Sequence, residues 1–185
     1  MPVKFEREVK LPFDDPQTAR AAVLAIGATP LRARRLQHDC LLDTADDLLM
    51  TRRFTLRVRS EQGRTVLTFK GPAQPSTMKL REEIETEAGD AGILLSILDR
   101  LGLRVWFRYE KYREEFATLD VVIAVDETPI GTFVEIEGSE GGVTRAARAL
   151  GREPDEYVTE SYRALFVRRC EERGVRVTDM LFGRG

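Results

Sequence analysis

The segment FEREVKL (residues 5–11) decides how the whole chain is interpreted. Successive side chains of a β-strand point to opposite faces, so a strand here places Glu6, Glu8 and Lys10 together on one face. Val9 and two further apolar residues lie on the opposite face. The charged face either looks to solvent or lines a charged interior, and this segment alone does not decide between the two.

The composition is that of one globular domain, which we expect to span residues 1–185. Lys and Arg number 29 and Asp and Glu 31, and this balance argues against a general nucleic-acid binder. Two distant cysteines, Cys40 and Cys170, and the single His38 make neither a disulfide framework nor a His-rich metal site. Because no long apolar run occurs, we expect a cytoplasmic protein without a membrane partner.

Alternating apolar and polar residues predict eight strands, and short turns between several of them predict antiparallel pairing. The predicted strands are residues 3–11, 37–43, 52–60, 64–70, 79–87, 105–117, 118–126 and 131–138. Helices are predicted over residues 15–27, 90–102, 144–151 and 154–174, and residues 173–185 are expected to form a loose tail in which Met180 could pack. Eight strands in one small domain are typical of a closed barrel, which has no free edge.

Nearly every predicted strand carries charge on one face and apolar side chains on the other. A single strand of this kind usually has a solvated outer face, but the helices also need an apolar sheet surface to cover. If the helices cover the outside, the charged faces point inward. The inward acids are then Glu6, Glu8, Glu83, Glu85, Asp126, Glu135 and Glu137, and the inward bases are Lys10, Arg57, Arg59, Lys70, Arg81, Lys111 and Arg113.

Such an interior must be wet, internally paired and suited to a charged ligand, because unpaired buried charge is prohibitively costly. Clustered Arg and Lys side chains bind phosphate oxygens. Carboxylates without nearby His or Cys suit the hard cations Mg²⁺ or Mn²⁺. These residue types favour a metal-bound polyphosphate and phosphoryl chemistry by positioning and charge neutralisation.

The ordered motifs resemble those of the CYTH superfamily, the triphosphate tunnel metalloenzymes. Glu6 to Lys10 is similar to the ExExK signature of that family, and the further matches follow in order along residues 3 to about 170. They are QHDCLLDT (37–44), LRVR (56–59), LTFKGP (67–72), REEIE (81–85), EKYRE (110–114), Asp126 in VDETPIGTF, FVEIEG (133–138) and SYRALF (161–166). Leu41 and Leu42 replace the usual Tyr and Phe of the second motif.

The resemblance implies an α+β fold, in which a closed eight-stranded antiparallel tunnel with a charged lumen has its helices packed outside. It also implies metal ligands Glu6, Glu8, Asp126, Glu135 and Glu137, and substrate-binding residues Lys10, Arg57, Arg59, Lys70, Arg81, Lys111 and Arg113. Catalytic roles fall to Glu6, Glu8, Lys10, Lys111 and Asp126, with Glu83 and Glu85 in supporting positions.

The branch that this chain most resembles is the class IV adenylate cyclases, which convert ATP to cyclic AMP and pyrophosphate. A triphosphatase acting on tripolyphosphate or thiamine triphosphate is the nearly equal alternative, because both reactions use the same clamp. A polyphosphate- or nucleotide-binding module without turnover is the non-enzyme alternative. The expected partners are Mg²⁺ or Mn²⁺ and a small triphosphate substrate, without nucleic acid, and the sequence leaves room for a homodimer.

Several residues are expected to be structural. We expect His38 at the surface and Cys40 as a small core residue. Trp106 has the opposite parity to Lys111, which predicts packing on the outer face. The docking face of the last predicted helix comprises Tyr157, Tyr162 and Phe166.

Overall fold

Eight antiparallel strands close into a barrel in the computed structural model, which describes residues 4–183. Around the barrel the strands follow the order β1-β5-β4-β3-β2-β6-β7-β8, and β8 pairs back onto β1. This confirms the predicted α+β barrel. The strands are β1 Lys4–Phe13, β2 Thr29–Asp43, β3 Thr55–Glu61, β4 Arg64–Lys70, β5 Lys79–Ala88, β6 Arg104–Ala117, β7 Val121–Thr128 and β8 Gly131–Gly138.

Within residues 4–183 five α-helices accompany the barrel, and four of them begin at a side-chain cap. They are α1 Pro16–Ala25, α2 Leu48–Thr51, α3 Ala91–Arg100, α4 Glu140–Ala149 and α5 Tyr162–Glu172. Asp15, Asp90, Ser139 and Ser161 each accept a hydrogen bond from a backbone N–H of the first turn of α1, α3, α4 and α5, respectively. No helix among residues 4–183 is long and apolar enough to cross a membrane.

The main apolar core lies outside the barrel, between its wall and the helices. Val9, Ile123 and Val134 point outward from their strands and pack with Val23 of α1 and Val143 of α4. A second outer cluster places α3 against β2 and β3. The helices therefore take the apolar faces, and the charged faces are left to the interior.

The segment between β2 and β3 differs from the prediction. The predicted strand 37–43 is only the second half of β2, and the predicted strand 52–60 begins at residue 55. Residues 48–51, for which no element was predicted, form α2, because the Asp43 carboxylate accepts hydrogen bonds from the backbone N–H groups of Leu49 (2.8 Å) and Met50 (2.9 Å). Asp43 comes six and seven residues before these two partners, which places this cap outside the usual sequence signature.

The last two predicted helices also have different bounds. The third predicted helix begins at Glu140 rather than at residue 144, because Ser139 caps it and the glycines that follow conceal its first turn. The predicted helix over 154–174 is interrupted: a single 3₁₀ turn over Pro154–Glu156 is followed by extended chain, where Val158 pairs with Lys10 of β1. Regular α5 starts only after Ser161.

The expected position of Trp106 is also wrong. Leu41 pairs with Phe107 but Leu42 pairs with Val105, so β6 has an irregularity at Trp106 that breaks the strict alternation of faces. Trp106 consequently lines the interior cavity instead of packing on the outer face. Within the expected tail Met180 does pack: it is 1% exposed and makes backbone hydrogen bonds with Arg108 and Glu110.

Candidate active site

The barrel encloses a cavity of about 520 Å³ whose wall is built from the inner faces of the strands. Thirteen of the fourteen predicted inward residues line it, and the fourteenth, Asp126, is fully buried in contact with Lys111 and Arg113. The residues that line it are Glu6, Glu8, Lys10, Arg57, Arg59, Lys70, Arg81, Glu83, Glu85, Lys111, Arg113, Glu135 and Glu137. The geometry therefore gathers widely separated charges around one lumen.

The acidic side chains of β1 each contact a lysine. Glu6 forms an ion pair with Lys70, and Glu8 contacts both Lys10 (2.6 Å) and Lys79. Burial opposes the charged form of Glu8, but Lys10, Lys79 and Lys70 hold its pKa well below the usual range. Both charges of each pair are thus retained in a buried setting.

Asp126 on β7 organises two cations of the neighbouring strand β6. Its carboxylate accepts hydrogen bonds from Lys111 Nζ (2.8 Å), from Arg113 Nε and Nη2 (2.7 and 2.6 Å) and from the Tyr162 hydroxyl (2.7 Å). Arg113 also donates to Glu135 (2.7 Å). Burial lowers the pKa of Lys111 to about 8, and the adjacent Arg113 acts in the same direction. Two cations are thereby fixed at neighbouring pleats of β6.

A second cationic pair lies on β3. The Nε atom of Arg59 donates to Asp39 of β2 (2.8 Å), and Arg57 lies 3.5 Å from the same carboxylate oxygen. Arg57 also donates to Thr68 (3.1 Å). Asp39 has no exposed side-chain surface, so it holds both arginines from behind while they line the cavity.

Arg81 is engaged differently from the other predicted substrate binders. Its guanidinium donates to the carbonyl oxygens of Gly71 (2.6 Å), Lys70 (3.3 Å) and Arg53 (3.2 Å). These bonds tie the start of β5 to the loops around it. Arg81 thus reaches the lumen with most of its donors already occupied.

The two ends of the cavity differ in chemistry. One end is largely apolar and aromatic; it is lined by Leu41, Leu42, Met50, Phe54, Leu56 and Trp106. Arg163 of α5 stacks on the Trp106 ring there, with its guanidinium carbon 4.4 Å from the ring centre. At the other end the Glu61 carboxylate accepts hydrogen bonds from Arg35 (2.8 Å) and Gln37 (2.6 Å).

A family model described as the CYTH domain matches residues 4–162, which include every strand of the barrel. The chain belongs to the CYTH family. A Methanocaldococcus jannaschii protein named "putative adenylate cyclase" is 27% identical over 147 residues, which are 79% of this chain and 83% of that protein.

Solved CYTH-like structures share the fold. A Vibrio parahaemolyticus protein named "putative adenylate cyclase" superposes with a TM-score of 0.76 at 19% identity and covers 90% of this chain and 99% of its own. A Hippeastrum "putative adenylyl cyclase" with a dominant triphosphatase activity gives a TM-score of 0.64 at 20% identity, over 94% and 97% of the two chains. The family match makes this protein an enzyme of the adenylate cyclase or triphosphatase kind, whose substrate is a small molecule that carries a triphosphate.

CYTH enzymes generally use divalent metals, and the carboxylates of this lumen supply suitable oxygen ligands. Glu8 of β1 pairs directly with Glu137 of β8, and Lys10 with Glu135, so both acidic strands lie side by side. Among residues 4–183 no three His, Cys, Asp or Glu side chains converge closely enough to hold an ion, since lysines and arginines occupy the carboxylates. The carboxylate oxygens are thus of the type that binds a hard cation, but in this structure they form ion pairs with lysine and arginine side chains.

Several CYTH lumen residues were missed by the parity argument. Lys79 lines the cavity beside Glu8, and burial lowers its pKa to about 8. Lys79 is the first residue of β5 and lies two residues before Arg81, so the alternation of faces that placed Arg81 inside also predicts Lys79 inside. Tyr162, expected in the docking face of a helix, instead contacts Asp126, and no strand pattern could have shown this.

His38 is exposed beside Glu110, as predicted, and Cys40 is half-buried beneath α3.

Proposed function

We propose that this CYTH protein is a class IV-like adenylate cyclase that converts ATP to cyclic AMP and pyrophosphate with Mg²⁺ or Mn²⁺. The observation that carries the proposal is the two-part cavity, in which a charged lumen continues into an apolar, aromatic end. An inorganic triphosphate has no apolar group that could bind at the apolar end, whereas the adenine of ATP is planar and stacks on aromatic and guanidinium surfaces.

The cations of the lumen suit the triphosphate chain. Arg57 and Arg59 face it from β3, Lys111 and Arg113 from β6, and Lys10 from β1. Arginine guanidinium groups offer bidentate contacts to phosphate oxygens, and lysines act as point charges. In the proposed reaction these residues hold the chain and stabilise the charge that spreads over the transferring phosphoryl group.

The metal would be held by Glu6, Glu8, Glu135 and Glu137, which line the cavity as hard oxygen donors. A divalent ion bound there would neutralise charge on the phosphates. Asp126 has no exposed surface and accepts four hydrogen bonds. We therefore assign it the positioning of Lys111, Arg113 and Tyr162 in preference to metal ligation.

In the cyclase reaction the ribose 3′-oxygen bonds to the α-phosphorus, and the bond from that phosphorus to the pyrophosphate oxygen breaks. The leaving oxygen keeps the electron pair, and the hydroxyl proton passes to solvent water. This chain's residues bind and orient the reactants, since a dissociative phosphoryl transfer asks little covalent chemistry of the protein.

Hydrolysis of the terminal phosphate is the second candidate. The dominant triphosphatase activity of the Hippeastrum protein, which shares this fold, supports it. In that reaction water attacks the γ-phosphorus, so the same clamp acts on the other end of the chain.

The deciding experiment incubates the purified protein with ATP, tripolyphosphate or thiamine triphosphate under each metal and resolves the products. Cyclic AMP and pyrophosphate from ATP are expected. Orthophosphate as the main product would replace the cyclase with the triphosphatase. Binding without turnover of any of the three substrates would contradict both reactions.

A further inference from the structure

The outer face of α3 carries an apolar stripe that the barrel does not use. Ile93, Ile97 and Leu101 recur every four residues and are 65%, 53% and 73% exposed. The opposite face of the helix buries Leu98 against Leu42 and Val58 of the barrel wall. The stripe is therefore a second apolar face, and α3 would need only one to dock on the barrel.

The stripe lines a shallow surface groove with charged residues at its two ends. Asp90 lies at the amino end of α3, Arg100 lies at the carboxyl end, and both border the same groove as the three apolar side chains. Between them Ser96 provides a small side chain beside Ile97. The helix dipole adds partial positive charge near Asp90 and partial negative charge near Arg100.

This arrangement is complementary to itself. When two such helices pack antiparallel about a two-fold axis near Ile97, the Ile93 end of one stripe meets the Leu101 end of the other. Asp90 of each copy then faces the basic end of its partner, and the two helix dipoles run in opposite directions. A parallel arrangement would instead bring like charges together, which is unfavourable.

We propose that α3 forms an isologous interface between two copies of this chain. The proposal is independent of the reaction assigned to the lumen. A contact built on one ten-residue helix from each copy lies at the small end of specific interfaces, so the dimer should be reversible and concentration-dependent. The partner is a second copy of this chain, because the apolar and charged groups of one α3 complement the same groups of another α3 in the antiparallel arrangement.

The interface would also bear on the site. The buried side of α3 rests on Val58, whose neighbours in β3, Arg57 and Arg59, face the lumen. Docking of a second copy would thus brace the outside of the strand that carries two cations of the triphosphate clamp.

The first test measures the mass of the full chain by sedimentation velocity over a range of protein concentrations. Wild type should shift reversibly from monomer to dimer, and Ile97→Glu should raise the dissociation constant at least tenfold. Leu119→Glu is the matched control, because Leu119 is fully exposed on the loop between β6 and β7 and lies outside the stripe. A wild type that stays monomeric, or a dimer that Ile97→Glu leaves intact, would overturn the proposal.

The second test is positive and does not depend on the tolerance of a charged substitution. In Ile97→Cys the two new thiols lie near the proposed axis, so mild oxidation should give a disulfide-linked dimer. Leu119→Cys is the control for the background from Cys40 and Cys170. Equal amounts of cross-linked dimer in both variants would contradict a contact at α3.

Discussion

Asp39 shows how one fully buried carboxylate can determine the geometry of a cationic clamp. It contributes no surface to the cavity, yet Arg59 donates to it and Arg57 lies beside it. We predict that Asp39→Asn raises KM for the triphosphate substrate roughly tenfold, about 1.4 kcal/mol, because the two guanidinium groups lose their fixed orientation. Steady-state kinetics on ATP and tripolyphosphate measure this.

The value of kcat distinguishes the positioning role from a direct one. It should change little in Asp39→Asn, and the exposed Asp99→Asn should leave both constants at wild-type values. A large loss of kcat at unchanged KM would mean that Asp39 acts on the reacting atoms.

A substitution at Glu137 tests whether the acidic residues of β1 and β8 bind the metal. The Glu137 carboxylate lines the cavity and its backbone is paired with that of Glu8. We predict that Glu137→Gln lowers metal affinity and removes most metal-stimulated turnover, because an amide is a weaker ligand for a hard cation. Metal titration by calorimetry and initial rates at rising Mg²⁺ or Mn²⁺ provide the two measurements.

The control for this substitution is Glu127→Gln. Glu127 forms an ion pair with Arg34 and is absent from the cavity wall, so its loss should leave both readouts unchanged. Full metal response in Glu137→Gln would remove that residue from the ligand set.

At the scale of elements, α4 packs on the barrel through a close approach at Gly142. A Cβ there would lie 2.6 Å from an Asp120 carboxylate oxygen and 2.8 Å from a Val121 methyl carbon. We predict that Gly142→Ala destabilises the protein by about 1–3 kcal/mol through overpacking. Urea unfolding followed by circular dichroism measures the difference.

Gly141→Ala is the matched control in the same helical turn. A Cβ there meets only the flexible end of Arg145 at 3.2 Å, and alanine has the better helix propensity. This variant should be neutral or slightly stabilising. Equal losses in both variants would place the cause in the helix rather than in its packing.

Glu61, the last residue of β3, accepts hydrogen bonds from side chains of the neighbouring strand β2 at one end of the lumen. Burial opposes its charge, yet Gln37, Arg35 and Arg32 lower its pKa to about 2. A lowered folded-state pKa stabilises the protein above the unfolded value near 4.5, and this contribution is lost as the pH falls toward 2. We predict that Glu61→Gln costs roughly 2–3 kcal/mol at pH 7 and far less near pH 2.

Denaturant unfolding at several pH values checks this expectation. Glu87→Gln serves as the comparison, because its ion pair with Arg64 is exposed and should contribute at most about 1 kcal/mol. A cost of Glu61→Gln that did not change with pH would contradict the ionic origin.

The elements also show what sequence can and cannot reveal. Alternation alone identified the inner faces of the strands, because the side-chain period of a strand is two and the apolar outer faces need helical cover. It failed where the chain departs from that period, as at Trp106, and where distant residues cap or bridge a segment, as Asp43 does for α2. Tyr162, at the start of α5, contacts Asp126 of β7, and no local sequence pattern specifies a contact between residues so far apart.

At the scale of the whole molecule, the lumen is lined by both acidic and basic side chains, and its lysines and arginines would bind a polyanion. We predict that tripolyphosphate stabilises the folded protein, by about 2.7 kcal/mol at a hundredfold excess over its dissociation constant. At this chain length the thermal midpoint should rise by roughly 5–10 °C. Calorimetric melting with and without tripolyphosphate measures the shift.

Arg57→Ala should reduce that shift, because Arg57 lines the cavity, whereas the surface variant Arg168→Ala should keep it. An unchanged midpoint for wild type at saturating tripolyphosphate would argue against a lumen built for such chains.

The pairing of β1 with β8, and of Met180 with β6, has a consequence for the order in which the protein folds. β1 gains its second neighbour only when it pairs with β8, which lies far from it in sequence, and the part of β6 around Tyr109 gains a further partner only when Met180 docks on it. Pairings of such long sequence separation slow folding. We therefore expect closure of the barrel to be a late step of folding, which follows the formation of the local hairpins.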